Sequence, residues 1–216
     1  MSYYYTSLGL GYSSKNDDSP YVMYNELQHY DKQLEKLIPG KIKDLIYLDG
    51  GANGDVYKIP NTSLVLKFTN DIKEATFCQF LKTKRSTRPY LPKIKFVYKI
   101  KAKLFVICME ELKPLTGQQN NIITDSIHYS PSPFTAKYHE YIRKLARKKN
   151  SSLTLINYCM AADKFFSFLK SIGLRNYDHH EGNLMIRPKT KEFVFIDYGH
   201  IGLPKKFPKT PVPQLP

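Results

Sequence analysis

Apolar positions change their spacing twice along the chain, and each change marks a change of predicted structure. Met23, Leu27, Tyr30, Leu34 and Leu37 follow one another at alternating spacings of four and three, the repeat of one helix face. Ser19 and Pro20 supply a cap and a first helical position, and Pro39-Gly40 ends the run, so an amphipathic helix is predicted there. From Ile42 to Met109 the pattern becomes that of strands. "DLIYLDGGANGDVYKI" predicts a strand, a glycine-rich turn and a second strand, "SLVLKF" a third, and "KFVYKIKAKLFVICM" a hairpin folded around Lys101-Ala102. Only "KEATFCQFLK" within this stretch reads as helix. Beyond Met109 helical spacing returns, with Leu155, Cys159, Ala162, Phe166 and Leu169 predicting a long helix that stops at Gly173. "NLMIR" and "FVFID" then predict a short hairpin joined across Pro188-Lys189-Thr190. The chain has no internal repeat. The expected fold is α+β and two-lobed. A polar, tyrosine-rich arm and the amphipathic helix occupy residues 1–41, a β-rich half 42–110, a reduced helical half 111–203 and a proline-rich tail 204–216.

Composition narrows the class. A chain of 216 residues, 42% hydrophobic with 12 Phe and 17 Tyr, can bury a sizeable core and is not a disordered polymer. No apolar run approaches the ~20 residues of a membrane span. The N-terminus has no basic region followed by an apolar core, so no secretory signal is expected. Cys78, Cys108 and Cys159 are odd in number and set among apolar residues, which points to reduced core thiols in a cytoplasmic compartment. Charge adds more: 33 Lys and Arg against 19 Asp and Glu give +14, a field that favours nucleotides, nucleic acid or acidic protein surfaces. One basic run, "YIRKLARKK", reads either as a solvated helix face or as a docking site for an acidic protein or nucleic acid. The tail, with prolines at 204, 208, 211, 213 and 216, is expected to be an undocked extended end or a polyproline ligand.

Three places along the chain carry candidate chemistry. Gly50, Gly51 and Gly54 lie in a strand-turn-strand, which either cradles phosphate with main-chain N–H groups or is an ordinary hairpin. Lys67 is a charge inside apolar "LVLKF"; pointed inward it needs an anion, and pointed outward it needs only water. Glu74, opening the next helix, is placed to hold it. Finally, "YDHHEGNLMI" sets Asp178 and Asn183 five apart in a loop, while Asp197 is expected to end the opposing strand of the hairpin. Asn183 and Asp197 offer hard oxygen ligands suited to Mg²⁺, and a nearby Asp178 is placed to take a hydroxyl proton. A zinc site from His179, His180 and Glu181 is disfavoured, because adjacent histidines in an extended loop diverge and no cysteine has ligand spacing.

Taken in order, these segments resemble the protein-kinase-like superfamily over roughly residues 45 to 203. "GGANGDVYK" looks like its nucleotide loop with Asp49 at the first glycine position, and Val56 follows as in that motif. "LVLK" is similar to the third-strand lysine motif, and "FVICMEELKPL" to the fifth strand and hinge. "YDHHEGN" resembles the catalytic loop, and "IDYG" stands where the metal-binding Asp-Phe-Gly is expected. The resemblance implies ATP and Mg²⁺ as cofactors. It implies that Lys67 contacts the α and β phosphates and pairs with Glu74, that main chain around Glu110 and Leu112 holds adenine, that Asn183 and Asp197 hold the metal, and that Asp178 is the base.

The departures carry information too. Tyr177 stands where typical protein kinases have Arg, and His180 where they have a catalytic-loop lysine; a protonated His180 is expected to supply that lysine's charge. The Asp-x-His-x-Gly-Asn pattern is similar to aminoglycoside and choline kinases and to some bacteriophage protein kinases. Too few residues follow Gly199 for an activation segment and peptide-docking helices, which resembles minimal kinases of phages, large DNA viruses and injected effectors. The expected function is therefore a Ser/Thr protein kinase of minimal viral or effector type, acting in a host cytoplasm on a protein substrate and without a membrane partner. An acidic protein is the expected activator or target, with nucleic acid the less favoured partner. The alternatives are a small-molecule kinase and a pseudokinase binding module.

Overall fold

The sheet forms where branched and aromatic side chains alternate between two buried surfaces. In the computed structural model, which describes residues 28–51, 54–84, 88–174, 177–199, 201–204, 207 and 211–216, the strands are β1 (Ile46–Gly51), β2 (Gly54–Lys58), β3 (Leu64–Thr69), β4 (Ile94–Lys101) and β5 (Leu104–Glu110). They pair antiparallel in the order β1-β2-β3-β5-β4. Because successive side chains point to opposite faces, Tyr57, Leu66, Phe68, Val106 and Cys108 share the outer face. Phe105 and Ile107 share the inner face, and Lys67 pairs with Ile107 across β3 and β5.

The outer face is covered by Leu34, Ile38 and Ile42, all buried, from the segment preceding β1. Ser19-Pro20, Met23 and Leu27 lie outside the described residues. Within them, a 3₁₀ turn (Gln28–Tyr30) leads into a short α1 (Asp31–Glu35), so the helix stops before the predicted Pro39-Gly40 end. The reason is local: the N–H groups of Leu37 and Ile38 both donate to Leu34 O, and Ile42 N–H donates to Glu35 Oε1 (3.0 Å). This turn presents Leu34, Ile38 and Ile42 to one surface.

The tail also departs from expectation. Lys99 N–H donates to Pro213 O (2.8 Å) and Leu215 N–H to Lys99 O (2.9 Å), making a parallel bridge on β4, while the Gln214 amide donates to Ile100 O (3.0 Å). β4 is a sheet edge with main-chain groups to satisfy, and the prolines do not interfere, since the one main-chain donor used is that of Leu215. Leu215 itself is buried in the outer core. Residues 211–216 of the tail are docked, not free.

Beneath the inner face lies α2 (Ile72–Thr83), followed after β5 by α3 (Gly117–His128), α4 (Ala136–Arg147) and α5 (Leu153–Ser171). Ser152 caps α5 by accepting from Leu155 N–H, and Gly173, at φ +80°, turns the chain so that Leu174 N–H can return to Leu169 O (2.9 Å). The predicted hairpin is β7 (Leu184–Ile186) with β8 (Phe193–Phe195), and a two-residue strand not anticipated from sequence, β6 (Lys113–Pro114), extends it. One apolar core runs without a break from Phe77, Phe105 and Ile107 to Tyr138, Phe165, Phe166, Leu184 and Phe195. The sheet and the helices are thus fused through their packing in a mixed α+β structure. The three cysteines are buried and unpaired. Among the described residues no helix is long and apolar enough to cross a membrane.

Candidate functional site

Lys67 points to the inner face, opposite Val56 on β2 and Ile107 on β5. Two carboxylates follow it in sequence, and the helix separates their tasks. Asp71 caps α2, accepting from the N–H groups of Lys73 (2.7 Å) and Glu74 (3.3 Å). Glu74, in the first turn, instead turns inward, and Lys67 Nζ donates to its Oε1 at 2.6 Å. Side-chain exposure is 15% for Lys67 and 2% for Glu74. Burial opposes the lysine's charge, but the Glu74 carboxylate, helped by that of Asp197, outweighs it and holds the ammonium above its ordinary range. The same burial pushes the Glu74 carboxyl up while Lys67 works against it; the short contact to a lysine held charged makes the pair ionic.

The glycine-rich turn has packing reasons of its own. Gly54 has φ +151°, and a Cβ there would lie 1.8 Å from Phe68 O on β3. A Cβ on Gly50 would meet Asp55 Oδ1 at 2.4 Å and Tyr47 Oη at 2.5 Å. Gly51 pairs with Gly54 at the open end of the β1–β2 ladder. Gly54 is therefore required by the sheet whether or not a phosphate binds, whereas a Cβ at Gly50 would displace only the ends of two side chains. Asp55 is buried beside this turn, and burial holds its carboxyl above the usual range.

The loop from Tyr177 to Asn183 sorts its polar side chains by depth. Tyr177 is buried, and its hydroxyl donates to Ile196 O (2.6 Å) and approaches Asn183 O (3.3 Å). It thereby ties the loop to the end of the hairpin. Asp178 is half exposed, and its main-chain O accepts from Asn183 Nδ2 (2.8 Å), leaving Oδ1 as the acceptor of that buried carboxamide. His179 sits among Tyr138, Tyr158, Phe166 and Phe195, with Nε2 3.0 Å from Tyr158 Oη; burial first, then the neighbouring His180, lowers its pKa to about 3. It is a neutral core residue. His180 Nδ1 accepts from Gly182 N–H (3.1 Å) and Nε2 lies 3.6 Å from Asp178 Oδ2. The ring is thus placed between the loop main chain and the Asp178 carboxylate.

Asp197 does not end the strand as expected. The last ladder-like bond is Ile196 N–H to Asn183 O (2.9 Å), β8 closes at Phe195, and Asp197 stands beyond it at φ +56°. A left-handed backbone at a non-glycine residue costs of order 1–3 kcal/mol, though Asp tolerates it better than most. Its Oδ1 accepts from Gly199 N–H (3.2 Å). The Ile196 bond pairs Asn183 with Ile196, one residue before Asp197, and the charge of Asp197 acts on both Lys67 and Glu74.

Glu110 was expected to offer main chain to a base. Its N–H donates to Lys93 O (3.0 Å), and its side chain accepts from Lys93 N–H (2.9 Å) and, bidentately, from Arg187 Nε (2.9 Å) and Nη2 (2.7 Å). A ligand at this position is left the carbonyl of Glu110 or the main chain of Leu112, which follows before β6. Arg187 is a residue that the sequence did not single out. It is buried, it also donates to Pro89 O (2.8 Å) and Leu91 O (3.1 Å), and it pairs with Glu192. The end of β5 is thereby fastened to the hairpin that carries Asn183 and Asp197.

Lys67, Glu74 and Asp197 thus act on one another below the inner face, and Tyr177 ties the loop that carries Asp178, His180 and Asn183 to the main chain just before Asp197. Among the described residues no three His, Cys, Asp or Glu side chains gather as a metal site, so the hard-ligand set on offer is one carboxamide and one carboxylate. Two surface cavities, of about 240 and 680 Å³, are lined by other residues. Compared with known proteins, the chain matches no family model and no curated protein.

Proposed function

We propose that the chain is an ATP- and Mg²⁺-dependent phosphotransferase of two-lobed, protein-kinase-like architecture that phosphorylates serine or threonine in a protein. The observation that carries this reading is the buried Lys67–Glu74 ion pair within the field of Asp197. A lysine fixed by one carboxylate and facing a second is a cation prepared for phosphate oxygens, which would share it with Glu74. Asn183 Oδ1 and Asp197 are hard donors that fit Mg²⁺, whose charge, when bound, neutralises phosphate oxygens. Asp178, half exposed at the rim, would accept the proton of an incoming hydroxyl, and His180 Nε2–H would orient its carboxylate. The strained backbone at Asp197 adds support, since such conformations persist where a site requires them.

Incubation with γ-labelled ATP, Mg²⁺, a set of generic protein substrates and a panel of amino alcohols tests this reading. Label on protein serine or threonine supports it. Label on the amino alcohols alone would make the chain a small-molecule kinase, as the Asp-x-His-x-Gly-Asn loop also permits. Nucleotide binding without transfer to either would make it a pseudokinase.

A further inference from the structure

Away from the candidate site, α4 and α5 border an open cavity of about 680 Å³ whose charge is strongly one-sided. Arg143, Lys144, Arg147 and Lys170 line it against a single carboxylate, Glu140, which Lys144 pairs at 2.9 Å. Arg143 is joined through Nε and Nη2 to Asp163 Oδ2, and His139 Nδ1 lies 2.7 Å from Oδ1 of the same carboxylate. Arg147 and Lys170 have no carboxylate partner among the described residues. The groove therefore has two anchored cations and two free ones.

We infer that this groove docks an acidic segment of a partner protein. The volume lies within the roughly 300–1,000 Å³ of ligand clefts. The 12 residues of α4 span about 18 Å, the length of about five or six residues of extended chain. Carboxylates on such a segment would meet Arg147 and Lys170 directly and the outer guanidinium edge of Arg143, which is 59% exposed. The lining also separates a peptide from single-stranded nucleic acid. Apart from its charged groups and His139 the wall is alanine and serine, with no Phe or Tyr ring on which bases would stack. The inference is independent of the phosphotransferase reading, because docking requires neither ATP nor the residues around Lys67.

Fluorescence anisotropy in the absence of nucleotide tests it, using a labelled peptide of about twelve residues rich in Glu and Asp and a single-stranded oligonucleotide of equal charge. The full chain should bind the peptide, and Arg147→Glu/Lys170→Glu should bind it at least roughly tenfold more weakly at unchanged melting temperature. Arg147→Gln/Lys170→Gln should fall between them. A control with the same change in charge elsewhere, Lys41→Glu/Lys43→Glu, should stay within about twofold of the unaltered chain. The inference is overturned if the chain does not bind the peptide, if both charge reversals weaken it equally, or if the oligonucleotide binds more tightly and is lost with Arg147 and Lys170.

Discussion

At Lys67 an ammonium is removed from water and held by Glu74, which is itself almost completely buried. Such a pair is weak evidence for stability but costly to break from one side, because the remaining charge is left without a partner. Lys67→Met should therefore destabilise the chain by about 3–5 kcal/mol, less whatever Glu74 recovers by taking a proton. Lys67→Met/Glu74→Leu should regain most of that loss in urea unfolding yet remain inactive. Activity in the double variant would show that the lysine has only a structural part. His179 gives the residue scale a pH signature. Its folded pKa, about 3, lies below the ordinary 6.5, so the unfolded chain binds the extra proton first and stability declines as pH falls from about 6.5 towards 3. His179→Phe should flatten that part of the stability profile, measured as urea midpoints between about pH 7 and pH 4; an unchanged slope would place the titration elsewhere.

Elements position these residues, and the tail is one that can be tested alone. Leu215 fills the outer core while main-chain bonds on both sides of it hold the edge of β4. Leu215→Ala should lower stability by about 2 kcal/mol, at the low end for buried leucine because the segment lies at an edge. A midpoint that does not move would mean that the tail is dispensable. What the sequence conceals is clearest here. Strands, α2 and α5 were legible because their apolar periods are long and their caps local. Lys67 was legible because a charge interrupts an apolar strand. Glu74 was legible as its partner because it opens the next helix, while the cap role of Asp71 shows only in the geometry of the first turn. The Arg187–Glu110 contact joins residues 77 positions apart, so nothing local signals it. β6 is two residues with a proline, too short for any period. The tail looked free because its prolines suit an isolated chain as well as an edge.

For the whole molecule, one core shared by sheet and helices leaves the polar cluster under the inner face as the place where different elements contribute side chains of opposite chemistry. The sheet and α2 contribute a cation with its counterion, and the loop and hairpin contribute oxygen donors. Arg187 and Tyr177 fix the hairpin against β5 and against the loop, so the donors have a defined register before anything binds. Among the described residues, the basic groove on α4 and α5 has a lining distinct from the residues around Lys67, so the proposed docking and the proposed chemistry can be assayed independently. The most direct measurement compares Mg²⁺-dependent transfer of γ-labelled phosphate to protein by the unaltered chain and by Asp178→Asn, with ATP binding followed in parallel. The account predicts transfer by the first, a loss of about 10²- to 10⁴-fold in the second, and equal nucleotide affinity. Undiminished transfer by Asp178→Asn, or no transfer and no nucleotide binding by the unaltered chain, would contradict it.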